Sequence, residues 1–183
     1  RLSIDGSRTG TNLLDGDLGY AVVQYTDECN SEEKAAGCLT LAGRAPADFP
    51  AQVTSARAEL FGCIMALTHA VEAGQIDSDY LTLVQGVSKD ERDMTAARAQ
   101  NADLWREIFR LLKGFCGHWN FCKTKSHRSL EALQAAPSDE QCAGFANRLA
   151  DKTARHHADS DTWLASLRAA ERAATAKVKS SLK

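Results

Sequence analysis

The sequence predicts an α/β domain built on one five-stranded mixed sheet flanked by helices. Three observations predict it. Strand-like stretches come first and close together, over residues 1–7, 18–26 and 35–43, separated by turns rich in Gly and Asn. Helical stretches then alternate with two more short apolar runs. Turn-linked strands pair antiparallel, whereas strands joined through helices pair parallel. The predicted order is βββ-α-β-α-β-α: a meander continued by crossovers.

Each element has its own signal. In RLSIDGS (1–7), Leu2 and Ile4 point one way and Ser3, Asp5 and Ser7 the other, the period of a strand with one buried face. LGYAVVQYT (18–26) is rich in β-branched and aromatic residues. AAGCLTLAG (35–43) follows as a third strand. Pro46 and Pro50 mark a loop, after which Leu60, Ile64, Leu67 and Val71 form one apolar stripe of a helix over about 54–73. The run at 79–84, centred on LTLV, reads as the fourth strand. A helix over 100–114 presents Leu104, Ile108, Leu111 and Leu112 and ends at Gly114. HWNFCKTK (118–125) is the fifth strand, and 142–157 a last helix. The domain so read spans 1–157. From 158 to 183, Trp163, Leu167, Ala170, Ala174 and Val178 form the narrow stripe of an amphipathic helix or linker.

The chain has 183 residues, 44% of them apolar and 25% charged, with a formal net charge of -2. That is the make-up of a water-soluble domain with a sizeable core. It excludes a general polycation, so an anionic ligand must be held by a local patch or a metal. One weak basic patch is available: Arg106, Arg110, Lys113, Lys123, Lys125 and Arg128, either a phosphate surface or a solvated face balanced by acids. No apolar run approaches the ~20 residues of a membrane helix, and no signal-peptide pattern is present. The start at Arg1, without Met, reads as an excised domain or fragment.

Six cysteines are scattered through apolar segments without a CxxC pair. They read as buried thiols of an intracellular, reducing compartment rather than a disulfide framework. Cys116, His118, Cys122 and His127 form the tightest group, but their spacing matches no standard zinc finger. Buried strand residues are the preferred reading there.

Three acids occupy places where an acid is costly. Asp5 lies inside a strand, where Asp is depleted, beside Gly6, which admits close approach. Glu59 shares a small helical face with Cys63, Ala66 and Ala70. Asp151 follows Asn147 by one turn, bordering Ala146, Ala150 and Ala154. Singly, each has an ordinary explanation: a turn acid, a first-turn acid favoured by the helix dipole, and a surface partner of Arg148 or Arg155. Together they would bring three carboxylates to one region of one sheet. Clustered carboxylates repel unless cations join them. Mg²⁺ prefers oxygen ligands and phosphates, and two such ions clamp the attacking and leaving oxygens of phosphodiester hydrolysis.

These residues resemble a known family. SIDGSRTG is similar to the first-strand motif of type 1 ribonuclease H domains, as found in cellular enzymes and in retroelement reverse transcriptases. ARAELFGCIMAL resembles the first-helix motif, KTKSHRS the Lys-x-x-His loop, and ANRLADKTAR the final-helix motif. The resemblance covers about residues 2–157, with the four motifs in order. It implies a ribonuclease H-like fold and endonucleolytic cleavage of the RNA strand of RNA–DNA hybrids with Mg²⁺ or Mn²⁺. It implies metal ligation by Asp5, Glu59 and Asp151, and proton transfer or product release by His127. Gly6, Ser7, Gln85 and Asn147 would contact substrate. Neighbouring domains of a larger polyprotein would be partners.

The family carries a fourth acid at the end of its fourth strand, followed by a small residue and Gln. Aligning that Gln with Gln85 puts the acid at Leu83, and a slipped frame puts it at Gly86. Neither is acidic. The expectation is a site that has lost one metal ligand, either an impaired nuclease or an inactive module that binds nucleic acid or supports a polymerase domain.

Overall fold

A computed structural model describes residues 1–9, 17–45 and 53–159. Five strands, β1 (Leu2–Arg8), β2 (Leu18–Gln24), β3 (Leu39–Arg44), β4 (Gln75–Ser78) and β5 (Asn120–Lys123), form one sheet in the order β3-β2-β1-β4-β5. The β1–β2 and β2–β3 pairs are antiparallel; β1–β4 and β4–β5 are parallel. The five-stranded mixed sheet read from the sequence is therefore present, with its meander and its crossovers. The helices are α1 (Glu32–Ala36), α2 (Ser55–His69), α3 (Leu81–Gly86), α4 (Glu91–Thr95), α5 (Ala102–Lys113), α6 (Leu130–Gln134) and α7 (Ser138–Asp159).

The sheet is covered on both faces at its centre, so the middle of β1, nearly all of β2 and most of β4 are buried, while the outer strands β3 and β5 are only partly covered. On one face Ile4, Val22 and Ile76 pack against Leu60, Ile64 and Leu67 of α2 and against Trp105 and Ile108 of α5. On the other, Ala21, Val23 and Tyr25 pack against Phe145, Ala146, Ala150 and Ala154 of α7. The small residues of α7 let it come unusually close. A Cβ on Gly19 would lie 2.1 Å from the Ala154 carbonyl oxygen, so only glycine fits. The same holds across β1: a Cβ on Gly6 would lie 2.2 Å from the backbone carbon of Ala58 and 2.3 Å from the Glu59 nitrogen. These two glycines set how near α2 and α7 approach the strands.

Several expectations are corrected. The fourth strand is not 79–84 but Gln75–Ser78, and Leu81–Gly86 is helix. The run LTLV, equally compatible with either structure, folds as helix because a helical turn puts Leu83 and Gly86 on one buried face. Leu83 is fully buried, and Gly86 lies under Trp105, whose ring would sit 2.3 Å from an added Cβ. Helix α2 stops at His69, so Val71 leaves the predicted stripe and is 98% exposed. Part of the run at 35–43 is the end of α1, and β3 begins only at Leu39. Of the cysteine–histidine group, Cys116, His118 and His127 are exposed rather than buried in a strand, and only Cys122 lies in β5. The amphipathic stretch after 159 lies outside the described residues.

Candidate active site

The site is built where β1 and β4 part. Their ladder ends with Ile4 opposite Ser78, so Asp5 and Asp79 are the next residues along each parallel strand, on neighbouring chains ~4.8 Å apart. Ile4 turns into the core beneath α2, and strand alternation sends Asp5 to the other face, towards α7. Asp79 is fixed by its backbone: Lys123 Nζ of β5 donates to its carbonyl at 2.5 Å, and Ser78 Oγ accepts from the next amide, Tyr80, at 3.0 Å. Glu59 is delivered by α2. Thr54 caps that helix by accepting from the Arg57 amide, and the buried Arg57 guanidinium holds Asp103 of α5 through both nitrogens, at 2.6 and 3.0 Å. With glycine at position 6, the Ala58–Glu59 backbone rests directly on β1.

The outcome is a cluster in which Asp5, Glu59 and Asp79 each present a carboxylate oxygen within 4.8 Å of the others. Asp151 stands beside it on α7, its Oδ1 accepting from Arg155 Nε at 2.7 Å. Asp151 thus has the Arg155 partner that its ordinary explanation foresees, and it borders the three acids without joining their cluster. Burial above all, then the charges of Asp79 and Asp151, push the Asp5 carboxyl up to about 8; Arg155 and the Gly6 amide oppose the shift. Burial likewise drives Glu59 well above the usual carboxylate range, helped by Asp5 and Asp79. Glu59 Oε2 is buried with no hydrogen-bond donor. Clustered acids, one of whose oxygens is buried with no donor, suit a cation.

An open cavity of about 500 Å³ lies over the cluster, bordered by Asp5, Gly6, Ser7, Glu59, Asp79, His127, Asp151 and Arg155. His127 reaches it from the exposed loop after β5, with its backbone in the left-handed region at φ 50°. A second cleft of about 300 Å³ shares Asp79, His127, Asp151 and Arg155 with it and continues along α7 past Asn147, Arg148 and Lys152. The Asn147 Oδ1, buried in that wall, has no donor.

Asp5, Gly6, Ser7, Glu59, His127 and Asp151 therefore border one cavity, and Asn147 its extension. Gln85 borders neither: it is exposed on α3. The residue missed by sequence reasoning is Asp79. No acid is missing from the end of β4, because the strand ends at Ser78, six residues earlier than expected. QIDSDY, with Ile76 flanked by polar residues after Gly74, held the signal. The patch cations are largely occupied: Arg110 by Glu107, Lys113 by Glu91, and Arg128 and Lys125 by Glu140.

Solved structures with the same fold include ribonuclease H domains. The prototype foamy virus domain in solution matches with a TM-score of 0.58 at 15% identity, over 86% of this chain and 92% of that one. The chain has the ribonuclease H fold. Ribonuclease H1 of Halobacterium salinarum superposes with a TM-score of 0.52 at 18% identity, over 87% and 96% of the two chains. LC11-RNase H1, solved with an RNA/DNA hybrid, gives 0.53 at 13% identity over 87% and 96%. No family model and no curated protein matches the sequence. Among the described residues no helix is long and apolar enough to cross a membrane.

Proposed function

We propose that this ribonuclease H-fold domain is a metal-dependent endonuclease that hydrolyses the RNA strand of RNA–DNA hybrids. The observation that carries the reading is the convergence of Asp5, Glu59 and Asp79 within 4.8 Å. Its donor set is all oxygen, which fits Mg²⁺ or Mn²⁺. The orphaned Glu59 Oε2 and the raised carboxyls fit a group that supplies positive charge. Asp5, Glu59 and Asp79 would hold the metal, with Asp151 at the rim. When bound, such an ion neutralises phosphate charge and lowers the pKa of a ligated water.

The chain's own residues do the remainder. Asp5 and Glu59, whose burial favours the protonated carboxyl, would release protons on becoming ligands. Arg155 orients Asp151 at the mouth. His127, exposed on its loop, can carry a proton between the cavity and solvent. Ser7 and the Asn147 carbonyl oxygen offer hydrogen bonds to a substrate backbone, and an acceptor at Asn147 suits a 2′-hydroxyl, the group that separates RNA from DNA. The open cavity suits a duplex backbone rather than an enclosed small molecule.

With Asp79 at the end of β4, a missing acid no longer speaks for an inactive module. A retroelement origin, with neighbouring domains in a longer polypeptide, accompanies this reading; it is supported by a match over 20% of a prototype foamy virus protease–reverse transcriptase chain, at 16% identity. The deciding experiment is a cleavage assay on 5′-labelled RNA–DNA hybrid in Mg²⁺ and in Mn²⁺, with RNA and DNA duplexes beside it. Cleavage of hybrid RNA alone, lost in Asp79→Asn, is expected. Hybrid left intact in both metals by folded protein overturns the reading.

A further inference from the structure

Away from the acids, two thiols face each other across α1. The Cys38 and Cys29 sulfurs lie 3.4 Å apart. Cys29, just after β2, is buried among Tyr25, Ala35 and Phe145, and Cys38, just before β3, is half-buried. Between them runs α1, capped by Ser31, whose side chain accepts from the Lys34 amide. Its first residue reaches α7: the Glu32 Oε1 accepts from Arg148 Nε at 2.8 Å and Lys152 Nζ at 3.0 Å. Arg148 and Lys152 line the cleft that leads to the acids. The two sulfurs thus bracket the element that occupies two cations beside the site. A disulfide bond is ~2.05 Å long, so the sulfurs need approach by only a little over ~1 Å.

We propose that Cys29 and Cys38 are a reversible dithiol–disulfide pair that latches α1, and Glu32 with it, onto α7. A low-molecular-weight disulfide serves as oxidant. The Cys38 thiolate, on the accessible side, attacks it and expels one thiolate, forming a mixed disulfide. Cys29, whose buried thiol is pushed up to about 12, gives its proton to solvent base and attacks the Cys38 sulfur. The second small thiolate leaves, and both leaving groups take up the protons lost by the protein, so two protein thiols are oxidised as one small disulfide is reduced. The closed loop holds α1 in place, keeping Arg148 and Lys152 paired with Glu32 and away from an incoming phosphate. This last effect rests on the function proposed above.

The full chain, treated with oxidised glutathione, alkylated and digested without reduction, tests the pair. A peptide joining Cys29 to Cys38 is expected, reversed by dithiothreitol. Amide exchange across Glu32–Ala36 should slow roughly 3-fold or more on oxidation, as local opening is suppressed. Cys38→Ser should remove both effects and Cys142→Ala neither. A cross-link to Cys142, or glutathione left on Cys38 without a cross-link, overturns the pair; a correct cross-link with unchanged exchange overturns the latch. Hybrid affinity, measured in an Asp79→Asn background, should fall roughly 3–10-fold at low salt on oxidation, as expected for two masked phosphate contacts, and Glu32→Gln should erase the difference. Equal affinity in both redox forms overturns the effect on binding. Absence of hybrid binding in both overturns the proposed function and leaves the latch standing.

Discussion

Asp77 and Asp79 are two residues apart at the end of the same strand, and they live under opposite conditions. Asp77 is 3% exposed, yet it is answered: Tyr25 donates to Oδ2 at 2.6 Å and Gln75 Nε2 to Oδ1 at 3.0 Å. Burial raises its pKa, and these two donors pull it back. Asp79 is more exposed, but the groups gathered on it are Asp5 and Glu59. Burial alone therefore does not mark a functional acid. What separates the two is the company kept: donors make a structural carboxylate, whereas fellow acids leave a charge that only a cation can balance.

The sharpest way to break this contrast is to exchange the fates of the two acids. Asp79→Asn should lower hybrid cleavage by roughly 10³-fold or more, because a ligand to the reactive centre is lost, while the melting temperature holds or rises; single-turnover rates and thermal scans check both. Leu83→Asp should not restore or improve anything. It puts an acid with neither donors nor cation into the core, at a cost on the order of 4 kcal/mol, read by denaturant titration; increased cleavage would return the fourth ligand to that position.

Asp5 sets a pH signature. In the folded chain it keeps its proton up to about pH 8, whereas an unfolded Asp loses it near ~4. The folded state therefore binds more protons across that window, and the metal-free protein loses stability as pH climbs through it, levelling above 8. Asp5→Asn should remove that loss, gaining on the order of 3 kcal/mol at pH 8.5 and close to nothing at pH 4. Equal effects at both pH values would show that burial and neighbouring acids do not govern Asp5. Tyr25→Phe probes the other acid: it removes one of two donors to a buried carboxylate, costing about 2 kcal/mol in stability and leaving single-turnover cleavage unchanged. The smallest effect belongs to His127→Ala, which should slow turnover roughly 10-fold without shifting the melting temperature.

Much of this was legible in the chain. Asp5 inside an alternating strand, Glu59 on a small helical face and Asp151 one turn after Asn147 are each odd locally, and local oddity is what a sequence displays well. The sheet followed from turn-linked strands first and helix-linked strands later. Position 79 was hidden for a physical reason. Strand β4 is four residues long, holds one acid and has another directly after it, so it lacks the apolar run that advertises a strand, while Leu81–Val84 has that run and folds as helix because Leu83 finds the core. Tertiary burial, invisible from the local pattern, decided between them. Helix α1 escaped notice because five residues hold it through a Ser31 cap and through Glu32's partners on α7, distant in sequence.

The central strand of the sheet is also the earliest in the chain, and its acid meets partners from α2, from the end of β4 and finally from α7. During synthesis β1, β2 and β3 can pair as a local meander while Asp5 faces no competing charge. Repulsion builds only as each later segment docks, the last being the longest helix of the described residues. The carboxylate cluster thus depends on contacts far apart in sequence, the kind that form slowly. A divalent cation present during refolding should accelerate the closing stage of folding and leave the meander's formation untouched.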